Sequence, residues 1–169
     1  MHASIVMKAV IGLGLLGATL STATPVPAQD RVQRGEYLAA IMDCTGCHTP
    51  GTLLGKPDLQ RYLAGSEVGF QIPGLGIFYP PNLTPDPETG LGRWSEADIV
   101  KAVRTGVRPD GRVLAPVMPY HSYAKLTDAD AQALASYLKS LEPIRNQVPV
   151  MVGASETPTA PYLTVVMPK

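Results

Sequence analysis

The chain is short of several things. Of its 169 residues only two are cysteine and three are histidine, so a disulfide framework or a multi-metal cluster has few side chains to draw on. Charge of neither sign prevails, with 14 basic side chains against 14 acidic ones. That balance offers no basic footprint for nucleic acid and no strongly anionic face. Long hydrophobic runs are also missing. The apolar stretch Ala9–Leu20 falls short of the ~20 residues that cross a bilayer. Preceded by Lys8 and followed by Val26-Pro27-Ala28, it has the form of an export signal, expected over residues 1–28. An uncleaved membrane anchor is the weaker alternative. Cleavage after Ala28 leaves enough chain for one domain, a slight acidic excess, and His48 and His121 as its only histidines. That scarcity weakens any reading with a second metal or a histidine-based catalytic site.

Both cysteines stand in one motif, Cys44-Thr45-Gly46-Cys47-His48. Two cysteines three apart lie on one face of a helix or tight turn, so both sulfurs can reach one flat ligand. A histidine directly after the second cysteine makes this a c-type haem attachment pattern. Each thiol would form a thioether to a porphyrin vinyl group, and the His48 imidazole would bind iron. Gly46 keeps the backbone slim there. Three other readings compete. A thioredoxin-like couple expects a βαβ pattern nearby, and none is visible. A structural zinc site needs four ligands, and His48 and His121 would be awkwardly spaced additions. A structural disulfide leaves His48 as coincidence.

Along the chain, Asp30 is the expected N-cap of a first helix reaching about Asp43, with Val32, Tyr37, Leu38, Ile41 and Met42 as its core face. Residues 49–92 carry eight glycines and seven prolines and no sustained period. So long an irregular stretch fits a domain whose core is a large apolar ring that the chain wraps. Leu75, Ile77, Phe78, Tyr79 and Leu83 are its candidate wall. Asn82, Thr84, Asp86 and Glu88 alternate like calcium ligands but lack the full loop pattern, so turn residues are the better reading. Ser95-Glu96-Ala97-Asp98 opens a second helix as a capping box, stopped by Gly106. Trp94, just before it, either staples that helix or hydrogen-bonds a haem propionate. Met118, between Pro116 and Pro119, is the candidate distal iron ligand, since a thioether opposite histidine raises the reduction potential. A gap-filling core methionine is the bland alternative, and His121 the rival ligand. Thr127-Asp128-Ala129-Asp130 opens a last helix with Leu134, Tyr137, Leu138 and Leu141 inward, ended by Pro143. From Gln147 the chain is proline-rich, and a loose tail, a strand-like wrap and a docking peptide all remain open.

In this order of elements the sequence resembles a class I cytochrome c. The resemblance implies a mainly α fold, helices and long Gly/Pro-rich loops wrapped around one covalently attached haem. In that family the first and last helices cross at a glycine and an aromatic ring, places matched by Gly35 and Tyr137. The runs Asn82–Ser95, Asp110-Gly111-Arg112, Met118–Tyr123 and Leu126–Asp130 are similar to cytochrome domains of bacterial membrane-bound alcohol, aldehyde and gluconate dehydrogenase complexes. They also resemble cytochromes that accompany molybdenum hydroxylases. The match covers about Gly35–Pro149. With the export signal over 1–28, the expected organisation is a cytochrome c domain over 30–146 and a Pro-rich C-terminal tail over 147–169. Those membrane subunits usually string three such domains before an anchor, whereas a single motif here implies a separate soluble carrier.

The expected protein is therefore a periplasmic mono-haem electron carrier rather than an enzyme. Cys44, Cys47, His48 and Met118 would hold haem c, with His48 and Met118 on the iron. The resemblance implies a periplasmic dehydrogenase as donor and another cytochrome or a terminal oxidase of the respiratory chain as acceptor. Membrane contact would come only through a partner complex, and nucleic acid is not a partner. The alternatives are a haem enzyme or gas-binding sensor with an open distal site, and a dithiol redox protein on Cys44 and Cys47.

Overall fold

A computed structural model describes residues 28–168. The expected export signal lies almost wholly outside the described residues. Five helices follow one another: α1 Ala28–Ile41, α2 Cys44–His48, α3 Glu96–Thr105, α4 Tyr120–Tyr123 and α5 Asp128–Ser140. Two 3-10 turns, Thr52–Leu54 and Leu59–Arg61, lie between α2 and a small hairpin. That hairpin is β1 Gly69–Ile72 and β2 Gly76–Phe78, and two later strands, β3 Val152–Gly153 and β4 Tyr162–Leu163, join it. Among the described residues no helix is long and apolar enough to cross a membrane.

The frame is the crossing of α1 and α5. A side-chain carbon on Gly35 would run into the Ala133 carbonyl oxygen and the Tyr137 Cβ, so only glycine lets the two backbones approach this closely. The buried stripe of α1 is Gly35, Leu38 and Ala39, flanked by Val32 and Met42. Tyr37 and Ile41, expected on the core face, point outward, 53% and 60% exposed. The reason is the glycine: packing is centred on its stripe, which turns positions 37 and 41 away. Tyr37 instead lies under the Arg34 guanidinium, 5.3 Å from its ring centre. Helix α1 starts at Ala28, so Asp30 sits in its first turn rather than as its cap.

Helix α3 has the expected capping box, Ser95 and Asp98 each bonding the other's backbone N–H, and ends at Gly106 in the left-handed conformation (φ 73°). The Tyr120 ring packs onto Gly106 so tightly that a Cβ there would fall 2.9 Å from ring carbons. Helix α5 takes only half of its expected box. Thr127 accepts from the Asp130 N–H, but the Asp130 carboxylate turns to Arg34 of α1 at 2.8 Å. A helix cap has become an inter-helix tie.

Irregular chain fills the rest. Lys139 of α5 donates to three carbonyls, Leu91 (3.2 Å), Gly92 (3.0 Å) and Trp94 (3.0 Å), which fastens the loop before α3 to α5. The strands are ordered β3-β2-β1-β4, with β4 parallel to β1 and the other pairs antiparallel. The segment from Gln147 therefore takes the strand-like wrap, flanking the hairpin on both sides. Of the expected wall residues, Ile77 and Tyr79 are buried and Leu83 packs on the core. Leu75 stands at the hairpin tip, 53% exposed, because Gly74 and Gly76, both at positive φ, turn the chain there.

Candidate haem-attachment site

Helix α2 is a single turn, set off from α1 by a sharp corner. Asp43 makes that corner in the left-handed region (φ 54°) and its side chain accepts from the Gly46 N–H, a conformation aspartate tolerates better than most residues. Gly46 also makes room for its own corner. A Cβ there would strike the Asp43 carboxylate. The two cysteines are unbridged, so the structural-disulfide reading falls away.

His48 is buried, 7% exposed. Its Nδ1 lies 2.8 Å from the Pro81 carbonyl oxygen. That oxygen can only accept, so Nδ1 carries the proton and Nε2 keeps its lone pair. Burial holds the imidazole below the ordinary histidine value, the Pro81 contact opposing it. The ring is thus neutral, oriented and a donor ligand at one nitrogen, the state a metal-binding histidine requires.

Pro81 owes its place to the segment that follows. The Asn82 amide donates to the Thr89 hydroxyl (3.0 Å) and the Ile144 carbonyl (2.7 Å), while its Oδ1 accepts from the Thr84 N–H (2.9 Å) and hydroxyl (2.8 Å). Asp86 accepts from the Thr89 N–H and hydroxyl at 2.6 and 2.7 Å, and these bonds hold its carboxyl below the usual carboxylate range. The alternating polar run is a set of turn residues, as expected, and its work is to pin the carbonyl that orients His48. On the other flank, the Gly65 N–H donates to the His48 carbonyl at 2.7 Å. Thr49 Oγ1 accepts from the Leu63 N–H at 3.0 Å.

The surroundings of the thiols disfavour thiolate. Burial pushes Cys44 up to about 11, with the neighbouring Asp43 carboxylate adding to it. Burial and Asp43 raise Cys47 as well. Reactive dithiols need the opposite shift, toward thiolate. Nor do three of His, Cys, Asp or Glu converge among the described residues. Two unbridged thiols beside a neutral imidazole with a free Nε2 are a donor set that fits a covalently held haem.

Met118 is half-buried in the loop before α4. Its N–H donates to the Ala115 carbonyl (2.9 Å), and its carbonyl accepts from the Tyr120 N–H (2.8 Å). The core cluster around Cys44 does not include it. What ties its neighbourhood to the motif is Tyr123, whose hydroxyl donates to the Met42 carbonyl at 2.9 Å, two residues before Cys44. Burial, and then the nearby cysteines, push that phenol up to about 12. His121 is exposed on α4, its ring tilted 42° against that of Tyr120 with ring centres 4.3 Å apart. Pro81 and Tyr123 were not readable as site residues from the sequence. Tyr123 had only its place at the end of the run Met118–Tyr123 as a signal, and Pro81 only its position directly before the run Asn82–Ser95.

A family model for cytochrome c matches residues 32–142, most of the chain. The chain belongs to the cytochrome c family. Membership implies a covalently bound haem c and a part in electron transfer. This cytochrome is 37% identical over 142 residues to the cytochrome c subunit of a quinone-dependent alcohol dehydrogenase from Gluconobacter oxydans, covering 83% of this chain but 28% of that one. It is 44% identical over 118 residues to one of the subunits of nicotinate dehydrogenase from Pseudomonas putida, 70% of this chain and 9% of the relative. With the gluconate 2-dehydrogenase cytochrome c subunit of Pantoea cypripedii it shares 39% over 132 residues, 78% and 28% of the two chains. The cytochrome thus spans well under a third of the length of each of these relatives.

Proposed function

We propose that this cytochrome is a mono-haem periplasmic carrier of single electrons. The observation that carries the reading is His48, buried next to two unbridged thiols with Nδ1 committed to Pro81 and Nε2 free. Cys44 and Cys47 hold the haem through thioethers and His48 is its proximal ligand. Residues 30–146 form the cytochrome domain and 1–28 the export signal. When bound, haem c supplies an iron that alternates between ferric and ferrous states. The protein's part is to fix ligands and exclude water, so that little rearranges as the charge changes. Met118 is the distal ligand. In its favour are its half-buried position in a loop stiffened by Pro116 and Pro119, and the exposure of His121, its rival.

The donor is a periplasmic dehydrogenase, and the acceptor another cytochrome or a terminal oxidase of the respiratory chain. Supporting this, several relatives are cytochrome subunits of alcohol, gluconate and fructose dehydrogenases. Optical spectra of the exported protein, oxidised and reduced, with and without carbon monoxide, test the core of the reading. A c-type spectrum unmoved by carbon monoxide is expected. Absence of that spectrum defeats the reading, and ready carbon monoxide binding by the wild type puts an open-site sensor or enzyme in its place. Rapid mixing with quinone-dependent alcohol and gluconate dehydrogenases tests the donor, and no haem reduction by either removes that part.

A further inference from the structure

The corner between α1 and the haem motif leaves one carbonyl over. The Met42 N–H still joins the α1 ladder at the Leu38 carbonyl (2.9 Å), and the Asp43 N–H donates to the Ala40 carbonyl (3.1 Å). Asp43 then turns into the left-handed region. The chain leaves the helix there, and among the described residues no backbone N–H reaches the Met42 carbonyl. An orphan carbonyl at a helix end needs a donor from elsewhere. The Tyr123 hydroxyl supplies it at 2.9 Å, from 81 positions farther along the chain.

Tyr123 is bonded at every polar group it has. Its N–H donates to the Pro119 carbonyl (3.1 Å), directly after Met118, and its carbonyl accepts from the Leu126 N–H (3.0 Å), directly before the Thr127 cap of α5. Helix α4 has four residues, too few to hold a shape alone, so what its ends are tied to sets its geometry. Near Met118 the tie is Tyr120, whose N–H donates to the Met118 carbonyl (2.8 Å) and whose ring covers Gly106. The tie to the motif is Tyr123. Among the described residues its hydroxyl makes the one hydrogen bond between residues 115–124 and residues 28–48. A tyrosine side chain has two torsions, so a residue held at both N–H and hydroxyl fixes the separation of the groups it joins. Burial, and then the Cys44 and Cys47 thiols, keep the phenol protonated and therefore a donor.

We propose that Tyr123 is a positioning residue for the Met118 ligand: its hydroxyl struts the distal loop against the corner that delivers Cys44, and so keeps the sixth iron position closed. The inference rests on the Met118 reading above. The strut acts on the backbone of the loop and not on the sulfur. Its removal therefore raises the frequency with which the loop swings away and leaves the ligand itself in place.

Tyr123→Phe removes the strut and keeps the ring, so the packing of the loop is retained. Tyr120→Phe, which loses a phenol hydroxyl one turn earlier, is the control, and Met118→Ala marks the fully open site. The exported holo-proteins are reduced and mixed with carbon monoxide, and amide hydrogen exchange is followed in the same ferrous proteins without the gas. Y123F should take up carbon monoxide roughly 5- to 30-fold faster than the wild type, the factor that accompanies loss of one such hydrogen bond. Exchange at the Met118, Tyr120 and Tyr123 amides should quicken with it, while α1 and α5 keep their protection. Uptake and loop exchange equal to the wild type overturn the strut, and so does an equal effect in Y120F. Acceleration spread evenly through α1 and α5 also overturns it, being the mark of general destabilisation. Failure of the distal-ligand reading looks different: the wild type and M118A then bind carbon monoxide equally fast. The ligand role of Tyr123 falls with that reading, and exchange at the three loop amides alone decides whether the hydroxyl holds the loop.

Discussion

Met118 and Gly35 carry the sharpest consequences of single side chains. Met118→Ala removes the proposed distal sulfur, so carbon monoxide should bind the reduced variant readily and the potential should fall, since soft sulfur favours ferrous iron. A variant as indifferent to carbon monoxide as the wild type would move the ligand elsewhere, with His121 next to be replaced. Gly35→Ala forces a methyl into the Ala133 carbonyl and the Tyr137 Cβ. Overpacking of this kind costs about 1–3 kcal/mol, read as a lower urea midpoint with the visible spectrum retained. Asp86 gives a pH dependence. Its carboxyl is held low chiefly by the Thr89 hydroxyl, then by the Thr89 N–H. A lowered folded value means that its stabilisation is complete above the unfolded value near 4 and is lost as pH falls through the folded one. Acid unfolding monitored at the far-ultraviolet helix signal should therefore begin at about pH 4 and be flatter in Asp86→Asn.

At the scale of elements, the helices were legible in the sequence and the loops were not. Ser95 with Asp98, Gly106, Thr127 and the inward Leu134 and Leu138 are local signals, and the helices obey them. Asp130 and Tyr37 mislead for tertiary reasons: Arg34 of α1 takes the carboxylate of the first, and the helix crossing centred on Gly35 turns the second outward. The site divides in the same way. Cys44, Cys47 and His48 were visible because their spacing is the chemistry, whereas Pro81 contributes only a backbone oxygen, for which no side-chain signal exists. Lys139 was equally silent, a polar residue near the end of a helix. Its ammonium gathers three loop carbonyls, so Lys139→Met should strip their donors and cost about 1–3 kcal/mol. The change should appear as faster hydrogen exchange in residues 91–95 while α1 keeps its protection.

For the whole molecule, the segment after α5 is part of the body. Asn146 donates to the Ala64 carbonyl at 2.8 Å, the Gly69 N–H to the Pro161 carbonyl at 2.9 Å, and Tyr79 to the Ala160 carbonyl at 3.2 Å. Deleting residues 150–169 removes β3, β4 and two of these bonds, at about 1 kcal/mol each. The melting temperature should drop by several degrees while the reduced spectrum stays the same. A spectrum altered by this deletion would place the segment against the haem instead. The bond from His48 to Pro81 has a further consequence in time. It closes a span of 33 residues, and the carbonyl it needs is braced by Ile144, farther along still. Contacts so distant in sequence form late. During refolding of a protein whose haem Cys44 and Cys47 already held, the imidazole would be untethered, and His121, the other histidine within the described residues, would be its rival for the iron. Refolding of the haem-bearing protein should show a slow phase that His121→Gln abolishes: a maturation step governed by chain closure rather than by attachment.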